Sequence, residues 1–161
     1  MQMLVSLIAI VLSGCAATGP VFTPVAPPDP DSAVVYIYRE RTFAFGARAA
    51  YFYVNDVNVF DLNADGYSWL TLPAGRYKLR QTWALDIIPK PIEANVELKA
   101  GEIRYLSLST GVCRGGYRLH EVCVERELRN QPPQVGRAAI ADKHFQENFG
   151  MAKLKRQLGT Q

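Results

Sequence analysis

The chain contains three cysteines and two histidines, and their spacing decides which chemistries are open to it. Cys113, His120 and Cys123 are spaced C-x6-H-x2-C, which fits no standard zinc pattern, and Glu121 or Glu125 would have to serve as a fourth ligand. A nucleophilic pair of Cys123 with His120 or His144 needs a free thiolate held beside an imidazole. The carboxylates Glu121, Glu125 and Glu127 alternate with Val122, Val124 and Arg126, the pattern of an amphipathic strand with one solvated face rather than of two acids flanking a cleft. Asp56, Asp61 and Asp65 fall where turns are expected, and their spacing does not match a calcium loop. No Gly-rich phosphate loop, GxSxG elbow or HExxH motif occurs. Because no set of nucleophile, base and orienting group can be named, the expectation is a protein that is not an enzyme and uses neither cofactor nor metal.

Cys15 offers a different chemistry. Residues 3–12, MLVSLIAIVL, form an apolar stretch too short to cross a bilayer, which takes about 20 helical residues. The stretch suits the apolar region of a secretory signal. It leads into Leu12-Ser13-Gly14-Cys15, which resembles the bacterial lipobox: a Leu, two small residues, then Cys. That resemblance implies removal of residues 1–14 as a signal peptide and lipidation of the Cys15 sulfur. It departs from the usual pattern in that no Lys or Arg precedes the apolar stretch. Several acyl chains on one residue would hold the protein durably, since each buried methylene contributes ~0.8 kcal/mol. Ala16 and Ala17 follow where the enteric sorting rule places Asp for inner-membrane retention. The implied location is the outer membrane, lipid-anchored and facing the periplasm.

An oxidising compartment changes the expectation for Cys113 and Cys123, which there form a disulfide. Such a bridge would stabilise by roughly 3 kcal/mol. A two-residue turn at Gly115-Gly116 would leave the two sulfurs out of register. The bridge requires a longer loop centred near Arg118.

These residues need elements to position them. The chain has 161 residues, 48% hydrophobic and 20% charged, with a formal net charge of +3. That is one domain's worth of chain with a globular composition, and it lacks the dense basic block of a nucleic-acid binder. Residues 15–32 follow the signal and hold Pro20, Pro24, Pro27, Pro28 and Pro30. They read as a semi-rigid tether that at ~3.1 Å per residue would reach roughly 50 Å from the membrane. From Ala33 the hydropathy alternates with period two. Val34, Tyr36 and Tyr38 form one set, and Ala50, Phe52 and Val54 another. Ser68, Leu70 and Leu72 follow, then Tyr77, Leu79 and Gln81, with Val96, Leu98, Leu106 and Leu108 continuing the series. Turn signals at Asn55-Asp56, Asn63–Gly66, Pro73–Gly75, Pro89–Pro91 and Ala100-Gly101 separate these runs. The pattern predicts an antiparallel β-sandwich of about seven to eight strands over residues 33–129, and no α/β enzyme fold.

The runs VVYIYRE (34–40), YFYVNDVNVFDL (51–62) and GYSWLTLPAGRYKLR (66–80) resemble a family of bacterial lipoprotein domains of unknown function. Such domains open on a strand like VYIYR, continue into a glycine-tipped hairpin and then show an LPPG turn. Here the hairpin tip is Asn55-Asp56-Val57-Asn58 and carries no glycine. The resemblance covers roughly residues 33–110 and implies a fold and a compartment, but no reaction.

Two features bear on partners. Tyr51, Tyr53, Tyr67 and Trp69 alternate with their strands' core-forming residues, so they fall on outer faces that a sandwich ordinarily keeps polar. They form a binding surface for a protein or a glycan, or else the C-terminal segment covers them. In the linker and tail, residues 130–161, NQPPQVG interrupts the strand pattern. Ala138, Ala141, Phe145, Phe149 and Ala152 then recur at helical spacing through Leu158. Lys153, Lys155 and Arg156 suit a helix C-terminus, and Gly150 weakens the centre by about 1 kcal/mol. This C-terminal helix either packs Phe145 and Phe149 onto a sheet or docks another envelope protein. The sequence-level expectation is thus a non-enzymatic envelope protein held by its lipid anchor, binding a protein partner, or alternatively a cell-wall or glycan-binding module.

Overall fold

The computed structural model describes residues 16–26, 29–42, 46–83, 90–112 and 124–159. Two sheets face each other. The strands are β1 (Ser32–Arg39), β2 (Ala50–Val54), β3 (Val57–Leu62), β4 (Gly66–Pro73), β5 (Gly75–Trp83), β6 (Ile92–Leu98), β7 (Ile103–Val112), β8 (Val124–Gln131) and β9 (His144–Phe145). Helices α1 (Pro133–Ile140) and α2 (Met151–Leu158) complete the chain. One sheet has five strands in the order β8-β7-β1-β4-β9; the other has four, β3-β2-β5-β6. This is the expected β-sandwich with a C-terminal helix, and the described residues form nine strands where about seven to eight were expected.

Alternation produces the core. Ala33, Val35 and Ile37 of β1, Leu70 and Leu72 of β4, and Leu106 and Leu108 of β7 point inward from the five-stranded sheet. They meet Phe52, Val54, Phe60, Tyr77, Leu79 and Trp83 from the other. The sheets are not purely antiparallel. β1 pairs β7 in parallel, with Tyr36 opposite Tyr105, and β4 pairs β9 in parallel. The first follows from the path of the chain: after β6 it crosses to the five-stranded sheet through the turn at Lys99–Glu102 and runs beside β1 in the same direction. The β2–β3 hairpin closes on two residues, with Val54 opposite Val57. Asn55 and Asp56 both have positive φ, 45° and 66°. That left-handed pair matches the twist of a two-residue hairpin, and Asn and Asp tolerate it without glycine.

The terminal segments depart from expectation. Residues 16–26 are not a spacer but lie along the outer face of the five-stranded sheet. Ala17 N–H donates to the Ala64 carbonyl (3.1 Å) and Phe22 N–H to that of Lys143 (3.1 Å). The Tyr36 hydroxyl accepts from Val25 N–H (2.5 Å) and donates to the Val25 carbonyl (3.1 Å). The tail is not one helix over Ala138–Leu158 either. It breaks after Ile140, adds β9 to the edge of β4, and resumes as a helix only at Met151. Gly150 sits at the N-terminal boundary of α2 and donates to the Val59 carbonyl (3.0 Å). A Cβ there would collide with the Asn58 backbone, so this glycine serves a close approach rather than weakening a helix centre. Gly136 plays the same part in α1, where a Cβ would run into the Tyr105 side chain.

Candidate functional site

The two outer faces are differently furnished. That of the five-stranded sheet is aromatic and covered. Cross-strand register aligns Tyr105, Tyr36 and Trp69 in one row and places Tyr38 beside Tyr67. Tyr36 stacks on Tyr105 at 5.2 Å. Phe22 stands edge-on to both Tyr36 and Tyr67 at 5.3 Å, and Phe145 closes on Tyr67 at 5.7 Å. Ile140 of α1 is fully buried in the same cluster. Tyr67, at 4% exposure, is therefore a core residue of a second apolar layer and not a binding surface. Trp69 is half-buried there, and its carbonyl accepts from Asn148 Nδ2 (2.8 Å). Burial raises the Tyr36, Tyr38, Tyr67 and Tyr105 hydroxyls above the usual phenol range, with hydrogen bonds to Val25, Ser107 and Thr23 partly offsetting it at the first three.

Among the described residues, the outer face of the four-stranded sheet is open. No described element packs across it. Tyr51 and Tyr53 lie on it half-buried, two residues apart on β2. Tyr53 is opposite Arg80, whose guanidinium sits 4.2 Å from its ring centre. Arg80 Nη2 also reaches Asp56 Oδ1 at 3.4 Å, and Lys78 Nζ pairs with Glu93 Oε1 at 3.1 Å. Tyr51 is opposite Asp61, which lies on β3 rather than in a turn. Burial pushes the Asp61 carboxyl up, and the hydrogen bond from Asn58 Nδ2 (3.3 Å) draws it back. At one end a hollow of about 540 Å³ is lined by Asn55, Arg76, Lys78, Asn95 and Glu97, among others. Cations and carboxylates alternate here. The face presents aromatic area and paired charge, a chemistry suited to a protein surface and unsuited to a polyanion.

The six aromatics singled out in the sequence thus do not form one surface. Tyr51 and Tyr53 lie on one outer face; Tyr67, Trp69 and Phe145 lie on the opposite one. Phe149 is 53% exposed and packs with neither set. Cys15, Cys113, Cys123, His120 and Glu121 lie outside the described residues. His144 is a structural residue, its Nδ1 donating to the Gly19 carbonyl (2.7 Å). Among the described residues, no three of His, Cys, Asp or Glu are grouped as metal ligands.

Alternation alone did not mark Arg80 as the partner of Tyr53, or Glu93 as that of Lys78. That requires the β2–β5–β6 register. The burial of both β1 faces did have a signal: Ala33–Tyr38 is apolar without interruption, as a strand covered on two sides requires.

The matched strands carry a family assignment. The chain belongs to the DUF2846 family of proteins of unknown function. The family model matches residues 29–117. No curated protein and no solved structure matches the chain. The DUF2846 match takes in β1 to β7 and hence the open face with Tyr51, Tyr53 and Arg80. Residues 16–26, α1, β9 and α2, which cover the other face and the β3 edge, fall outside it.

Proposed function

We propose that this DUF2846 protein is a lipid-anchored, periplasm-facing component of the outer membrane that carries out no catalysis. It binds a partner protein, or supports an envelope assembly, through the open face of its four-stranded sheet. The observation that carries the reading is the asymmetry between the outer faces. One is buried beneath two terminal segments, while no described element packs across the other, where Lys78 is exposed and Tyr51, Tyr53 and Arg80 are half-buried. Large amphipathic side chains beside an Arg are typical centres of protein interfaces. Lipid attachment at Cys15 is supported by Leu12-Ser13-Gly14-Cys15 and the apolar stretch before it.

A photo-cross-linking amino acid at Tyr53 tests the partner in intact cells. A discrete protein adduct is expected from Tyr53 and none from Arg137, which is exposed on α1. Equal adducts from both positions, or none from Tyr53, would overturn the reading. The second reading, a glycan-binding module, loses Tyr67, which is buried, and rests on the half-buried Tyr51 and Tyr53 of one face or Trp69 of the other. Retention on washed sacculi, lost in Tyr53→Ala, would favour it.

A further inference from the structure

The residue next to the proposed acylation site has a fixed place on the fold. Ala16 forms a parallel bridge with Ala64, in the β3–β4 connection. Ala17 is buried, at 6% exposure. The following residues are registered against the domain. His144 Nδ1 donates to the Gly19 carbonyl (2.7 Å), Phe145 N–H to that of Pro20 (2.8 Å), and the Phe22 ring fills the space between Tyr36 and Tyr67. The contact at Gly19 admits no side chain, because a Cβ there would strike the Phe145 carbonyl. Covalent geometry keeps the Cys15 Cα within about 3.8 Å of that of Ala16. The acyl chains would therefore leave the protein at the end of the sandwich that holds Ala64, with no free linker between lipid and domain.

That end is defined by the strands. Ala64 lies between β3 and β4, beside Asp65, which pairs with both Arg41 and Lys143. Arg39 Nη1 donates to the Leu62 carbonyl (3.0 Å), so β1 also ends here. The β4–β5 and β6–β7 crossings, at Ala74 and Gly101, lie at the opposite end. Both are tied to the start of β1 through Asp31 and Ser32.

From this geometry we infer that the Ala64 end of the sandwich is held flush against the lipid bilayer. The four-stranded sheet's open face then stands along the membrane normal instead of swinging on a stalk. This rests on the lipid-anchor reading and adds an orientation to it. The eight residues of β1 separate the two ends by roughly 26 Å, enough for a depth measurement to tell them apart.

The test uses the full-length acylated protein in vesicles of phosphatidylethanolamine and phosphatidylglycerol. A benzophenone amino acid is placed either at Arg41, exposed beside Asp65, or at Ala100, exposed at the far end. Lipid adducts from position 41 are expected to exceed those from position 100 several-fold. In a Gly19→Ala, Phe22→Ala background, which unseats the segment, the difference should collapse while acylation and the β-rich circular dichroism spectrum persist. Acylated wild-type protein giving equal adducts at both positions would overturn the orientation alone. Absence of acyl label on Cys15 would remove the anchor, and this inference with it.

Discussion

Val112 lies directly opposite Val124 in the antiparallel β7–β8 ladder. The register is unbroken from Tyr105 opposite Gln131 to this pair. In the sequence Cys113 follows Val112 and Cys123 precedes Val124, and both cysteines lie outside the described residues. Opposed residues in antiparallel strands have Cα atoms about 4.5 or 5.5 Å apart, within the range of about 4.4–6.8 Å that a disulfide spans, so one further pair added to this ladder would bring the two cysteines to bridging separation. Alkylation of denatured, unreduced protein should label neither Cys113 nor Cys123. Reduction should lower stability by roughly 3 kcal/mol. Stoichiometric labelling of both thiols would contradict the pairing.

Phe145 and Phe149 should separate cleanly. Phe145 is half-buried against Tyr67, so Phe145→Ala should cost about 2 kcal/mol, roughly half the loss expected for a fully buried Phe. Phe149→Ala removes an exposed ring and should stay within about 0.5 kcal/mol of wild type. Urea denaturation of the two single variants checks both values.

Gly150 gives a test of opposite sign from the sequence rule. A glycine in a helix centre would make Gly150→Ala stabilising by about 1 kcal/mol. At the observed approach to Asn58 and Val59 the added methyl must displace backbone. The variant should be destabilised by about 1–3 kcal/mol, read as a lower midpoint of thermal unfolding.

Alkaline pH should unfold the protein through its buried phenols. Burial raises the hydroxyls of Tyr36, Tyr38, Tyr67, Tyr77 and Tyr105 above their unfolded value of 10.0. The folded state then binds more protons than the unfolded chain above that pH, so stability is full below pH 10 and falls as pH rises through the folded values. Arg39, lowered by burial to about 10, has the opposite sign and offsets part of this loss. Tyrosinate absorbance at alkaline pH should appear together with loss of the β signal. Phenols that titrate fully while the fold stays intact would contradict the burial of these rings.

The sheets were legible because strand alternation is local. Phe52 between Tyr51 and Tyr53, or Leu79 between Lys78 and Arg80, declares its inward face from immediate neighbours alone. The terminal segments were not legible for the complementary reason. Val21 and Phe22 form no period; what seats Phe22 is the ring cluster of Tyr36 and Tyr67, and what holds Val21 is a bridge to His144, partners brought together only by the folded sheet. Proline richness suggested a stalk because Pro20 and Pro24 lack donors, yet the Pro20 carbonyl accepts from Phe145 and Val25 supplies both partners of Tyr36. In the tail, the step of four from Phe145 to Phe149 mimicked a helix face. The pairing of His144–Phe145 with Gly66–Tyr67 outweighed it, since local helix propensity is weak beside tertiary packing. Of the candidate site, Tyr51 and Tyr53 could be placed on an outer face from sequence. Their separation from Tyr67 and Trp69 depended on which strands share a sheet.

The central claim is a domain held to the envelope by lipid on Cys15. Intact mass spectrometry of the protein extracted from membranes tests it most directly. The account predicts a chain beginning at Cys15 and carrying the mass of diacylglycerol plus an amide-linked acyl group, with Cys15→Ser abolishing both the acyl mass and cleavage after Gly14. A mature chain without acyl mass, or one beginning elsewhere, would contradict it.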